Sequence, residues 1–400
     1  MTSINGDRLL ADLDTLRDFG RYLTGVHRPT YTQIDMQARH WLMERMREAG
    51  LEPEIDGIGN VIGRAPGNRP KLLVGSHLET QNHAGWLDGA LGVMYGLELA
   101  RALPGQIDVA AWADEEGHFG TFLGSRSAVG EVSDAEIDAA RNAHHGQPLR
   151  EALAQAGLDG KPRTVIAPGT YAGYLEAHIE QGDDLEATGL RLGVVTSIVG
   201  IWTFRITFTG VQNHAGTTRM AIRKDAGAAL VRLCSAVEHR LPTVAGPRSV
   251  WTVGRILLKP GAASIIPGGA EMLLQMRDAD PDVLAAMESA LHDLIAEANA
   301  AGPCSVTAEC TFRSMPKVMN NGFQQALAHA SAAYAPGAHQ YMPSGAGHDA
   351  QILAQIMPAA MLFVPSIGGI SHDIAEDTAR EDIVLGCQVL AAGAAEILGT

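Results

Sequence analysis

The sequence predicts an α/β fold: a mostly parallel-sheet domain interrupted by an inserted ferredoxin-like α+β domain. Three observations carry this. A strand, a helix and a strand follow one another from Lys71 to Ala113, the order of a βαβ unit. From about Gly200 the pattern changes to β-α-β-β-α-β, the split unit of ferredoxin-like domains. After Met315 the α/β texture returns. The expected boundaries are 1–199 with 317–400 for the outer domain and 200–316 for the insertion.

The elements follow in chain order. A helix is expected over Tyr31–Ala49, with Thr30 as N-cap, Ile34, Ala38, Trp41, Leu42 and Met46 on one face, and Gly50 ending it. Short β-like runs cover Asn60–Ile62 and Lys71–Gly75, the second leading into Ser76-His77. An Ala/Leu/Gly-rich helix spans Gly89–Leu103, and the strand Ile107–Ala113 ends in Asp114-Glu115-Glu116. In the insertion, Trp202–Thr209 alternates as a half-buried strand, Asp225–Arg240 and Pro281–Ala300 read as helices, and Ser249–Leu258, Ala270–Arg277 and Cys304–Phe312 as strands. Beyond it come a helix at Phe323–Tyr334, another after Ser344–Asp349, a strand at Pro358–Val364 and a helix at Arg380–Leu398.

Composition narrows the function. The 400 residues hold 30 basic and 45 acidic side chains, a formal net charge of −15, which repels a phosphate backbone and disfavours nucleic-acid binding. Aromatic residues are 5%, too few for base-stacking platforms. No apolar run is long enough to span a bilayer, and Met1–Gly20 has no apolar leader core. Cys234, Cys304, Cys310 and Cys387 form no CxxC pair and read as reduced, mostly buried residues of a cytoplasmic protein.

Five segments place imidazole or carboxylate groups at or just after expected strands, where open α/β sheets set their ligands. They are Gly75–Glu79, Asp88-Gly89, Glu115–Gly117, His178–Gly182 and Gly368–His372. Imidazole and carboxylate together suit Zn²⁺, Mn²⁺, Co²⁺ or Ni²⁺. Each segment alone says little: a single His on a strand is most often a core or surface residue, and Glu115-Glu116 alone reads as a solvated strand end.

The combination resembles the M20-type di-metal amidohydrolases, in the branch of N-carbamoyl-L-amino acid hydrolases, allantoate amidohydrolases and β-ureidopropionases. The blocks that carry the resemblance are Trp86–Gly92, Phe122–Arg126, His178–Gly182, Asn213–Thr218, Ser344–Ala350 and Val364–Ser366 leading into Gly368–His372. It implies a catalytic domain holding two divalent ions, zinc first and manganese, cobalt or nickel as alternatives, and an inserted lid and dimerisation domain in a homodimer. It implies that Asp88 bridges the ions, that His77 and His372 join one, that Glu116 joins a metal, and that His178 completes the other. Glu115 is then the general base toward a metal-bridging water. His214 supplies an oxyanion donor, which in relatives reaches the partner subunit's site. Gln181 meets the ureido group, Arg277 clamps the substrate carboxylate, and Gly347 lies beside the substrate.

Three positions depart from that pattern. Glu79 stands where the family has the Asp that orients the first histidine, His77. Ser264 stands where carbamoylase-like relatives carry Asn, and offers one donor instead of an amide's two. Arg219 replaces a Pro and adds a cation able to meet an extra anionic group. Other residues read as bland: His348 as packing, His83 as an exposed loop residue, His144-His145 as solvated, and Arg126 as an ion-pair residue. The expected function is hydrolysis of a linear C–N bond in an N-carbamoyl or N-acyl amino-acid-like carboxylate. The alternatives are an M20-type dipeptidase or N-acyl amino acid deacylase, and, more remotely, a binding protein that has lost turnover.

Overall fold

The computed structural model describes residues 3–67 and 70–400. The chain forms two compact units, Met1–Thr196 with Val318–Thr400, and Ser197–Lys317.

The larger unit is built on a nine-stranded sheet. Its centre is four parallel strands in the spatial order Ala359–Val364, Gly173–Ile179, Leu72–His77, Ile107–Trp112. All four are buried along their whole length, as strands covered on both faces must be. The helix Ala90–Ala102 connects two of them and is itself buried from Ala90 to Ala100.

The expectation of a mostly parallel sheet is corrected at the flanks. Val61–Arg64 runs antiparallel to Ile107–Trp112, Glu52–Ile55 antiparallel to Val61–Arg64, and Leu192–Ile198 antiparallel to Ala359–Val364. The loop of residues 56–60 between Glu52–Ile55 and Val61–Arg64 is too short for a crossover, so that pair folds back as a hairpin.

The helix expected over Tyr31–Ala49 runs Gln33–Glu48 and is capped by Thr32, whose hydroxyl accepts from the Asp35 N–H (3.3 Å). Thr30 does not cap it. Its hydroxyl donates to Asp114 Oδ1 (2.9 Å), and Tyr31 lies at φ +60, outside the helix.

The smaller unit is a four-stranded antiparallel sheet in the order Val250–Lys259, Gly269–Asp278, Gly200–Thr209, Ser305–Ser314. With the helices Ala226–Arg240 and Pro281–Ala301 this is the β-α-β-β-α-β order. Alternation along Gly200–Thr209 and Gly269–Asp278 turns Phe204, Ile206, Phe208, Met272, Leu274 and Met276 toward Leu230, Leu233, Leu284 and Leu291 of the helices. The edge strand Val250–Lys259 is largely exposed.

The cysteines are all free, but not all buried. Cys310 is exposed, at a register shift in the edge strand Ser305–Ser314, and Cys234 is half-buried. No helix among the described residues is long and apolar enough to cross a membrane.

Candidate metal centre

Parallel pairing fixes where the chemistry gathers. His77 pairs with Trp112 and His178 with Phe363, so all four central strands end at one edge of the sheet. Asp88, Glu115, Glu116 and His372 lie on the segments that follow those strand ends.

Asp88 is the hub. Its Oδ1 lies 3.0 Å from His178 Nε2 and 3.5 Å from His77 Nε2, and its Oδ2 lies 3.0 Å from His372 Nε2. Ligand atoms fall into the groups His77–Asp88–His178, Asp88–Glu116–His372 and His77–Glu115–Glu116, each within 4.8 Å. The geometry sets His77 with His178 and His372 with Glu116, where the resemblance implies His77 with His372. Strand neighbours decide this, since His77 and His178 sit on adjacent strands whereas His372 follows a third.

Main-chain carbonyls set the ring orientations. His77 Nδ1 donates to Glu79 O (3.1 Å) and His178 Nδ1 to Ile179 O (2.9 Å). Both rings therefore keep Nε2 as the coordinating nitrogen. Gly89 N–H also donates to His178 Nε2 (3.2 Å). Gly89 is at φ +66, and a Cβ there would lie 2.4 Å from the His77 ring, so only glycine lets the Asp88 loop close on that histidine.

The assigned role of Glu79 changes. Its carboxylate stands 3.9 Å from His77 Nδ1 and does not orient that ring. Being one methylene longer than Asp, it reaches past the imidazole. Its Oε1 accepts from Glu115 N–H (2.7 Å) and its Oε2 from buried Arg39 (2.7 Å). Arg39 also pairs with Asp35 (3.0 Å), and all three charged side chains are fully buried.

The electrostatics follow from crowding. Burial alone would raise the Asp88 carboxyl, but the imidazoles of His178, His372 and His77 against it overcome that and hold it well below the usual range. Burial would lower His77, yet Glu115, Asp88 and Glu79 hold it well above its usual value. The hydrogen bond to Asp88 lifts His372 to about 9. Burial raises Glu115 well above its usual value, helped by Glu116, Asp349 and Asp88 against His77. Burial, then the Asp88 charge, raises Glu116, whose Oε1 has no hydrogen-bond partner among the described residues. Clustered carboxylates and lone-pair imidazoles with an orphaned buried oxygen are the donor set a divalent pair needs.

Gln181 sits at φ +60 with its amide nitrogen donating to Asp88 Oδ2 (3.1 Å) and Ser371 Oγ (3.3 Å). Its Oε1 is buried without a partner among the described residues. At Gly347 a Cβ would come 2.7 Å from the Phe122 ring, so packing alone already requires glycine there.

The remaining candidates lie in the smaller unit. His214 is exposed on the short strand Asn213–His214, which pairs with Ile265–Ile266. Its Nδ1 accepts from Gly216 N–H (3.0 Å) and Thr217 N–H (3.2 Å). Ser264 is exposed beside it, its carbonyl accepting from Ala215 N–H (3.0 Å), and Arg219 is exposed at the start of the turn Met220–Ile222. Arg277 is half-buried, with Nε donating to Gln275 Oε1 (2.9 Å), and burial lowers its pKa.

Sequence reasoning missed several supporting groups. Asp114, at φ +59, accepts from His118, Phe119 and Gly120 N–H (2.8–2.9 Å) and so shapes the loop that presents Glu115 and Glu116. An Asp at a strand end before Glu-Glu-Gly is a turn signal that could have marked it. Glu376 and Ser371 beside Asp88, and Arg39 and Asp35 behind Glu79, carried no local signal. His348 is buried, its ring edge-on to His178 at 4.6 Å, with Nε2 on Ser344 Oγ (2.9 Å). His83 is exposed, and Arg126 pairs with Glu136 (2.8 Å).

Comparison with known proteins agrees in direction. A family model described as peptidase family M20/M25/M40 matches residues 79–396. An N-carbamoyl-L-amino acid amidohydrolase from Geobacillus stearothermophilus is 35% identical, covering 97% of each chain. An allantoate amidohydrolase from Bacillus subtilis (strain 168) is 34% identical over 92% of this chain and 91% of its own. Among solved structures, a hydantoinase/carbamoylase-family amidase from Burkholderia phymatum superposes with a TM-score of 0.90 at 50% identity, covering 100% of this chain and 99% of that one.

Proposed function

The chain belongs to peptidase family M20/M25/M40 and is an amidohydrolase; from that premise we propose that it cleaves the linear C–N bond of an N-carbamoyl or related ureido acid. The observation that carries the reading is Asp88 shared between two ligand groups, His77 with His178 on one side and Glu116 with His372 on the other.

The larger unit is the catalytic domain, and the smaller a lid and dimerisation domain. His77, Asp88 and His178 would hold one divalent ion and Asp88, Glu116 and His372 the other, zinc first, with manganese, cobalt or nickel suited to the same donors. Bound there, the ions would acidify water and polarise a carbonyl oxygen.

The chain's own residues do the rest. Glu115 accepts the water proton and passes it to the leaving nitrogen; burial and like charges give it the proton affinity the task needs. His214 carries an N–H on Nε2, because Nδ1 accepts two N–H bonds, and it donates that N–H to the developing oxyanion. Gln181 offers its unpartnered oxygen to a ureido N–H. Arg277 clamps the carboxylate, and Ser264 and Arg219 select among acids. The exposed edge strand Val250–Lys259, with Ile256, Leu257 and Leu258, is the seam of a homodimer. The reduced cysteines fit residence in the cytoplasm.

The test reconstitutes the metal-free protein with Zn²⁺, Mn²⁺, Co²⁺ or Ni²⁺. Ammonia release is then measured from N-carbamoyl amino acids, ureidopropionate and allantoate, beside amine release from N-acyl amino acids and dipeptides. Ammonia with at least one metal is expected. Amine without ammonia would replace the proposal by a dipeptidase or deacylase, and silence on both with metal bound would leave a binding protein.

A further inference from the structure

Two ligand-bearing segments far apart in the chain meet at one buried carboxylate that belongs to neither ligand group. Glu376 is 1% exposed. Its Oε1 accepts from both Leu87 N–H and Asp88 N–H, each at 3.0 Å, and its Oε2 accepts from Ser371 Oγ at 3.1 Å. Ser371 Oγ also lies 3.4 Å from Asp88 Oδ2, the oxygen that faces His372 Nε2 at 3.0 Å. One carboxyl thus fixes the main chain of Asp88 and, through the residue next to His372, the side chain of Asp88 as well.

The 84–88 segment is shaped around this contact. A Cβ on Gly85 would fall 1.9 Å from both Cδ and Oε1 of Glu376, so any side chain there would expel the carboxylate. His372 sits at φ +56, a left-handed conformation that persists where surrounding contacts hold it. Ser371 and Glu376 supply such contacts on either side of it. The other half of the centre has separate support. His77 and His178 lie on adjacent strands of the sheet core, and their Nδ1 atoms are tied to main-chain carbonyls.

We propose that Glu376 is a positioning residue that sets the spacing of Asp88 and His372, and so supports the Asp88–Glu116–His372 half of the centre more than the His77–Asp88–His178 half, whose two histidines have anchors of their own. The inference rests on the reading that both groups hold metal ions. Glu376 acts by accepting hydrogen bonds and not as a ligand. A glutamine could replace it, since its oxygen would keep both amides and its nitrogen would donate to Ser371 Oγ, whose single hydroxyl proton would turn to Asp88 Oδ2.

The experiment measures metal content and stepwise Zn²⁺ affinity of the full chain by elemental analysis and competition with a chelating dye. Amide exchange of the metal-free protein is followed over residues 84–90 and 370–377. The unaltered protein is expected to bind two ions. Glu376→Ala is expected to keep the tighter one, to bind the second about 10–100-fold more weakly, the range for lost support around a ligand, and to exchange faster in both segments. Glu376→Gln is expected to restore two ions. Ser371→Ala removes only the Oε2 arm and gives a smaller loss at the second ion, which serves if the alanine variant fails to fold. Two ions at unaltered affinity in Glu376→Ala, or equal loss of both, overturns the inference and leaves the metal reading standing. An unaltered protein that binds no metal overturns the metal reading itself, and the inference with it.

Discussion

Histidines in the two units are wired in opposite senses. In the larger unit, His77 and His178 each give the Nδ1 proton to a main-chain carbonyl, which leaves Nε2 with a lone pair. In the smaller unit, His214 Nδ1 accepts from two main-chain N–H groups, which places the ring proton on Nε2. The same side chain is thus a Lewis base in one unit and a hydrogen-bond donor in the other. The choice is made by backbone geometry. A strand end offers a carbonyl, and a tight turn such as Ala215–Thr217 offers amides. A histidine in a motif has no fixed chemistry until its second nitrogen is accounted for.

Three measurements can break or sharpen that contrast. The largest effect is expected at Glu115, the acceptor among the lone-pair groups. Glu115→Gln should lower kcat by roughly 10²–10⁴-fold, the usual worth of a positioned base, while metal content stays unchanged. A near-normal rate would move the base role elsewhere. Next is the donor side: His214→Ala should lower kcat by about 10²–10³-fold with metal content intact, and His214→Gln, which keeps an N–H donor, should recover part of it. Loss of metal from His214→Ala would erase the distinction between the units.

The smallest effect concerns protons in the larger unit alone. Burial lifts Glu176 to about 7 from its usual 4.5, and burial with the Asp88 charge does the same for Glu376. The folded chain holds these protons more tightly than an unfolded chain does. Their contribution to stability is therefore whole below about pH 4.5 and fades as pH rises through 7. The urea midpoint of the metal-free protein should fall between pH 5 and 8, and a midpoint that climbs over that range would contradict the burial argument.

The candidate ligands were legible only in combination, because runs such as Ser76-His77 and His178–Gly182, each weak alone, follow one another in the order of one family. Their grouping was not, because it depends on which strands are neighbours. His77 and His178 are far apart in sequence and adjacent in the sheet. Glu79 shows the same limit at one residue. Its departure from Asp was visible, but its reach to Glu115 N–H and Arg39 was not, since Arg39 comes from a helix whose sequence reads only as amphipathic. On one flank the antiparallel pair was hidden by strands only four residues long. In the smaller unit the alternating strands revealed the fold directly, because one sheet face is buried and the other is not.

The sheet of the larger unit also has a history in time. Ala359–Val364 lies between Gly173–Ile179 and Leu192–Ile198, both of which precede the smaller unit in the chain. A ribosome releases those two neighbours early, then the whole smaller unit with its own core, and only then the strand that joins them. A nascent chain at the midpoint of synthesis carries His77, Asp88, Glu116 and His178 beside an unfilled slot in its sheet, and has no His372. An ion that arrived during translation would meet every candidate ligand but one. Closure of the sheet, which brings His372 to Asp88, is therefore also the moment at which the Asp88–Glu116–His372 group is completed.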